Sequence, residues 1–345
     1  MNKLIFNLQQ IGNLFLLSAA LLTINSCSQP NIDKKVKFQG RAQGTYYEIT
    51  YFDEQGRNFQ PQVDSILEAF NFSLSVYEPN SIISRINRDE PDVALDDWFK
   101  TVFKKAREVA ENTAGNFDYS VGPLVNSWGF GFTDRMKLSA GKIDSLLKLV
   151  GYQNFKIEDN RLIKKIPGSQ IDFNAIAKGY AVDVLGDFLV QKGISVYLID
   201  IGGEVLARGR KPDGSTWRIG IEKPTEDALS ARELKTVIRL ENMAIATSGN
   251  YRRFYEEDGI RYSHTIDPFT GYPVQHTLLS ASVLAADCMT ADAYATAFMV
   301  MGVDATIEFL DSNANLEAFL IWSGENGEIK TWSSAGFEKL TEGVN

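Results

Sequence analysis

The sequence predicts an α+β fold. Segments of helical period dominate the first half, and several short strands follow one another directly in the middle rather than alternating with helices. The 345 residues are 44% hydrophobic and 23% charged, ample for a substantial core. Neither an internal repeat nor a low-complexity linker divides the chain, so one large domain or two intimate ones are expected.

Taken in order, residues 44–52 read as a strand rich in Thr, Tyr and Ile. Val63, Ile66, Leu67 and Phe70 recur at helical spacing and predict an amphipathic helix over 61–72. Trp98, Val102, Phe103, Ala106, Val109 and Ala110 predict a second. A third runs from a Ser139 cap through Ile143, Leu146, Leu147 and Val150 to a terminating Gly151. Residues 175–190 read as a further helix and 194–201 as a strand. Short strands are expected around Val205 and at 217–221, 234–240 and 243–247. Residues 251–255 and 260–265 flank Glu256-Glu257-Asp258-Gly259, a hairpin signal. A helix of small residues over 291–301 and a strand over 316–322 complete the pattern.

The N-terminus reads differently. Lys3 is the only charge before Asp33, and the apolar run Leu14–Ile24 falls short of the roughly 20 residues a spanning helix needs. A basic start, a short apolar core and small residues describe a secretory signal. Ile24-Asn25-Ser26-Cys27 resembles a bacterial lipobox, whose cysteine becomes the lipidated first residue; the alternative is a plain cleaved signal with an incidental cysteine. The expected division is a signal peptide over 1–26, lipidated Cys27 with a flexible tether over 27–37, and one domain over 38–345. That makes an exported protein anchored by lipid to a bacterial membrane and facing the periplasm. Cys288 is then the only free thiol, expected to be a packed core residue.

A formal charge of −9 argues against a nucleic-acid partner, which requires a basic surface. An acidic protein that handles phosphates must do so locally, with a metal ion or a few placed cations. Two cysteines and two histidines rule out a disulfide framework and a zinc site built from several Cys and His. Any metal would be held mainly by oxygen, which favours magnesium or calcium.

Polar, glycine-marked segments stand out against this background. Lys178 sits near the start of a predicted helix, where free amide donors and the positive dipole end suit an anion; a solvated surface lysine is the plainer reading. Asp292 and Thr296, four apart on a helix, share one face and offer two oxygens to a hard cation, although, taken alone, contacts to backbone on a buried helix are the simpler explanation. His264 precedes a turn marked by Asp267-Pro268 and Thr270-Gly271, at a cleft-edge type of junction. His276 has no such setting and reads as a surface residue.

Together and in order, the phrases GTYY, SVYEPNSIISRIN, FDYSVGPLVNSWGFG, DFNAIAKGYAVD, DIGGEV, ATSGNY, SHTIDPFTGYPV and ADAYATAFMVMG resemble the ApbE family of FAD:protein FMN transferases, from Gly44 to Gly302. The resemblance implies mixed or antiparallel sheets flanked by helices, with FAD in a cleft between two sub-structures. It implies that Asp172 and Lys178 contact FAD, that Gln43, Tyr77, Asn116, Phe117, Asp118 and Ile266 line its pocket, and that Mg²⁺ is held by the Ala175 carbonyl, Asp292 and Thr296. Gln43 stands where the family usually has Met. His264, in the family's SHxIDP motif, is the implied general base, with Asp267 as its rival or as the residue that fixes the turn.

The implied reaction moves FMN from FAD to a Ser or Thr hydroxyl of an acceptor protein, such as a membrane electron-transport subunit, and releases AMP. The alternatives are a Mg-dependent FAD pyrophosphatase, in which water replaces the hydroxyl, and a flavin-binding lipoprotein without catalysis.

Overall fold

The structure, a computed structural model, describes residues 33–130, 138–222, 234–250, 254–257 and 260–342. Lys34–Asn345 forms one compact unit. The expected signal peptide and the lipidation site Cys27 lie outside the described residues.

The centre is an eight-stranded sheet. Along the chain come β1 (Lys34–Ala42), β2 (Thr45–Asp53), α1 (Gln60–Leu74), α2 (Ile82–Asn87), α3 (Asp97–Asn112), α4 (Gly122–Ser127) and α5 (Ala140–Leu147). A small hairpin, β3 (Phe155–Glu158) and β4 (Arg161–Lys164), precedes α6 (Ala177–Gln191), β5 (Tyr197–Ile201) and β6 (Glu204–Arg208). Then follow β7 (Trp217–Glu222), β8 (Leu234–Leu240), β9 (Met243–Gly249), β10 (Phe254–Glu257), β11 (Ile260–Ser263) and β12 (Leu278–Ala285). The long α7 (Cys288–Asp311), β13 (Glu317–Ser323), β14 (Ile329–Ser333), α8 (Ala335–Leu340) and β15 (Thr341–Glu342) finish the fold. The main sheet has the order β1-β2-β5-β6-β9-β12-β13-β14, with every neighbouring pair antiparallel.

Both faces of this sheet are covered, and the strand period of two sorts its residues between them. Ala244, Ala246, Val283, Ala285, Ala318 and Leu320 join the core under α1, α3, α6 and α7. Their neighbours Ile245, Leu284, Phe319 and Ile321 pack on the other side with Trp217 and Ile238, from the sheet β15-β8-β7, and with Phe337 of α8. This explains why β12 escapes a sequence reading: LLSASVLA is buried on both faces and shows no alternation. A third, small cluster joins Leu124, Trp128, Ile143, Leu146 and Ile266.

Other expectations shift at their edges. The strand β1 starts at Lys34, so the last residues assigned to a tether over 27–37 belong to the sheet. Ser139 caps α5 by accepting from the Lys142 N–H, but the helix ends at Leu147, ahead of Gly151. The helix expected over 291–301 extends from Cys288 to Asp311, interrupted at Gly302 (φ 78°). Among the described residues it alone is long and apolar enough to cross a membrane, yet here it packs on α6, β9 and β12. Cys288 is buried and free, as expected.

Candidate active site

The junction of α6 and α7 gathers the densest polar chemistry. Gly179 lets the helices meet: a Cβ there would lie 2.3 Å from the Cys288 carbonyl oxygen and 2.7 Å from Cβ of Asp292. At this approach the Gly179 N–H donates to Oδ2 of Asp292, at 2.9 Å. In a continuing helix that donor would serve the carbonyl four residues back, Ala175. Among the described residues the Ala175 carbonyl accepts no backbone hydrogen bond, and Oδ1 of Asp292 accepts none. One turn further along α7, Oγ1 of Thr296 lies 3.3 Å from Oγ of Ser248 on β9.

The junction therefore presents a carboxylate, a hydroxyl and a spare carbonyl, all hard oxygen donors. Among the described residues no three His, Cys, Asp or Glu side chains cluster as metal ligands. A cation here would complete its shell with water or substrate phosphate, as magnesium does. The donor set fits that ion.

Lys178, in the first turn of α6, pairs with Glu204 at 2.9 Å. Glu204, at the head of a central strand, is only 3% exposed. Burial raises the carboxyls of both Glu204 and Asp292; their mutual repulsion adds to it at Glu204, and Lys178 opposes it at both. Sequence reasoning gave Glu204 no role, although an acid directly after Gly202-Gly203 and before apolar Val205-Leu206-Ala207 was the available signal.

The segment Asn116–Asp118 adjoins Asp172. The Asp172 N–H donates to the Tyr119 carbonyl at 2.7 Å, and Asn87 brackets the preceding residue by bonding both the N–H and the carbonyl of Ile171. Asp118 accepts from the N–H and Oγ of Ser120 and from the Tyr152 N–H, while burial raises its carboxyl against these donors. Burial likewise raises Asp172, opposed by Asn174. Asn116 bonds the Thr113 carbonyl. The side chains of Phe117 (2% exposed) and Ile266 (4%) are packed in core clusters, so what these two residues offer a ligand is backbone. Tyr77 is exposed. Gln43 occupies the β1–β2 turn with φ 50°, at the sheet end where β5 stops and β6 starts.

His264 lies where β11 leaves its hairpin, with its ring edge-on to Phe130 at 6.4 Å between centroids. Asp267 organises the following turn: Oδ1 accepts from the N–H groups of Phe269 and Thr270, and its carbonyl accepts from Gly271. Trp128 fastens the turn by donating to the Gly271 carbonyl at 2.8 Å. Phe269 in turn reaches Gly115, where an added Cβ would meet it at 3.3 Å, so this turn and the 116–118 segment are neighbours. His276 is not a surface residue. Its Nε2 pairs with the Met299 carbonyl at 2.8 Å and its Nδ1 accepts from the Leu278 N–H, a structural role in which burial lowers its pKa.

Two cavities lie elsewhere. One of about 650 Å³ is lined by Arg210, Lys211, Arg218 and Arg239, among others, and one of about 410 Å³ by Tyr180, Asp183, Asp187 and Asp287, among others.

Sheet, junction and turn define an α+β protein that concentrates oxygen donors and one cation at a single sheet end, an arrangement suited to a phosphate-bearing ligand. The chain belongs to the ApbE family, which matches residues 43–320. It is 38% identical to the FAD:protein FMN transferase of Vibrio cholerae over 329 residues, 93% of this chain and 96% of that protein. It is 35% identical to the FAD:protein FMN transferase of Haemophilus influenzae over 338 residues, 94% and 96% of the two chains. Among solved structures it resembles the flavin transferase ApbE from Vibrio cholerae (TM-score 0.79, 38% identity, 89% of this chain and 99% of that one). It also resembles the apo form of the Pseudomonas stutzeri flavinyl transferase ApbE (TM-score 0.81, 35% identity, 91% and 99%).

Proposed function

We propose that this protein transfers FMN from FAD to a serine or threonine hydroxyl of an acceptor protein, releases AMP and depends on magnesium. The observation that carries the reading is the Gly179–Asp292 contact, which joins the two sequence segments expected to share a cation and frees the Ala175 carbonyl. The names of the relatives support the same chemistry.

In this reading the acceptor oxygen attacks the FMN-side phosphorus. A new P–O bond forms, the bridging P–O bond breaks towards AMP, and the hydroxyl proton passes to His264. Such transfer asks a protein for alignment and charge neutralisation above all. Asp292, Thr296 and the Ala175 carbonyl would hold magnesium, which when bound neutralises the diphosphate. Lys178 adds a positive charge beside the helix N-terminus. Asp267 holds the turn that presents His264, and Tyr77 would cover the flavin from solvent. The AMP phosphate is a weak base and leaves without a dedicated acid.

The test is to incubate the protein with FAD, magnesium and an acceptor, reading covalent flavin fluorescence on the acceptor together with AMP. Free FMN and AMP with no labelled acceptor would make it a pyrophosphatase, and absence of AMP would leave only flavin binding. Full activity in excess chelator would remove the metal from the reading.

The same reading includes export and attachment at Cys27 to a membrane facing the periplasm, which suits an acceptor in membrane electron transport. Mass measurement of the mature N-terminus, in parent and Cys27→Ser, checks it: an unlipidated parent retained in the membrane fraction would overturn the anchor.

A further inference from the structure

We infer that Glu204 is a positioning residue for the reaction, holding the Lys178 ammonium in place beside the substrate phosphates. This rests on the proposed flavin transfer and goes beyond it, since none of the site residues considered so far accounts for a buried glutamate.

Carboxylates are almost never this enclosed unless they are paired. Glu204 opens β6, the fourth strand of the sheet, and is 3% exposed. Its place is set by backbone: Gly202 (φ 63°) and Gly203 (φ 104°) make the turn from β5, and the Gly203 N–H donates to Oδ1 of Asp200 at 2.8 Å. A Cβ at Gly202 would lie 2.7 Å from the Thr45 side chain, so this turn packs closely on β2 and has room for glycine alone. Oε2 of Glu204 accepts no well-aligned hydrogen bond, yet stands 2.9 Å from Nζ of Lys178. The glutamate carboxyl is thus held in place by its backbone and faces a more movable partner.

Lys178 is that partner. Its side chain is 31% exposed and its stem is flexible, so an unanchored ammonium would sample many rotamers. The ion pair removes this freedom before substrate arrives, and groups held in the productive geometry raise the rate rather than the ground-state affinity. When Lys178 keeps Glu204 ionised against the effect of burial, that charge opposes ground-state binding of the diphosphate. Neutralising it should therefore slow turnover without weakening FAD.

The test is a double-mutant cycle in the full mature chain: parent, Glu204→Gln, Lys178→Met and the double variant. AMP release and FAD affinity (by flavin fluorescence) are measured, with thermal unfolding alongside. We expect Glu204→Gln to lower kcat about tenfold while the KM for FAD stays level or falls, and to have less than about a twofold effect when Lys178 is already Met. Glu204→Asp should recover part of the loss. Lys178→Met alone leaves a buried carboxylate uncompensated and should unfold at lower temperature, and adding Glu204→Gln should restore the midpoint. An equal kcat loss in both lysine backgrounds, or none, would overturn the inference and leave Glu204 as a structural residue. If the parent releases no AMP, the transferase reading falls, and the same cycle on FAD affinity decides the pairing by whether the glutamate substitution matters only with Lys178 present.

Discussion

The α6–α7 junction and the turn at 264–272 hold their functional groups by different means. At the junction, Asp292 and Glu204 are 5% and 3% exposed; Asp292 is held by the Gly179 N–H across two packed helices, and Glu204 opens a strand of the main sheet and pairs with Lys178. The turn satisfies its own backbone through Asp267 and Gly271, and it meets the rest of the molecule through Trp128, through Phe269 beside Gly115, through the Thr265–Asn250 hydrogen bond and through a small apolar cluster. Groups that must neutralise charge stand where nothing can shift without disturbing the core. The group expected to meet a protein acceptor stands on a turn whose geometry is set largely by its own hydrogen bonds.

The largest test of that contrast is at Asp292. Asp292→Ala should abolish magnesium-dependent transfer while the protein still unfolds cooperatively; undiminished activity with full magnesium dependence would remove this carboxylate from the site. At the turn, His264→Ala should slow transfer by about 10²–10⁴-fold and spare FAD binding, as expected for loss of a general base. Asp267→Asn keeps the acceptor oxygen for Phe269 and Thr270 and should change the rate by less than about threefold; a loss as large as that at His264 would shift the base role to Asp267.

Two glycines probe rigidity directly. Gly179→Ala forces a methyl against the Cys288 carbonyl and should destabilise the whole fold by about 1–3 kcal/mol, weakening the response to magnesium with it. Gly271→Ala, at φ 74° and 2.7 Å from Ile143, should strain only the turn, reducing transfer with FAD affinity preserved. Similar consequences for both would erase the distinction between the regions.

The smallest effect concerns Asp183, which bonds the N–H groups of Cys288 and Met289 and ties α6 to the start of α7. Burial outweighs these donors and lifts its carboxyl to about 7. Between its ordinary value near 3.8 and that pH, the folded chain keeps a proton that the unfolded chain has lost, so this group's contribution to stability declines as pH rises through the window. Asp183→Asn should accordingly gain in unfolding temperature relative to the parent from about pH 5 to about pH 8. A flat difference would show that the two amide donors keep Asp183 ionised throughout.

Much of this was legible in the sequence where one face of an element meets water. The α3 pattern is that of an amphipathic helix: Val102, Phe103, Ala106, Val109 and Ala110 are buried as its spacing selects, while at its start Phe99 is buried and the expected Trp98 only partly so. Strands β7, β8 and β9 likewise fall where β-rich runs between turn residues place them. Legibility fails where both faces are covered, as in β12, and where a charged residue is buried for a reason that lies elsewhere in the chain, as with Glu204 paired to Lys178. The polar segments were visible as motifs. Their contacts were not, because the Gly179–Asp292 bond spans 113 residues and depends on a helix packing closely enough to exclude any side chain.

Gly302 bears on how this fold tolerates change. In an unbroken helix, one inserted residue would turn everything beyond it by about 100°. The left-handed glycine resets the phase of α7 after Met301, so Asp292 and Thr296 keep their bearing whatever happens to the stretch that leads on to Asp311. Insertions or deletions past this break are expected to be absorbed downstream, leaving the half that carries Asp292 and Thr296 undisturbed.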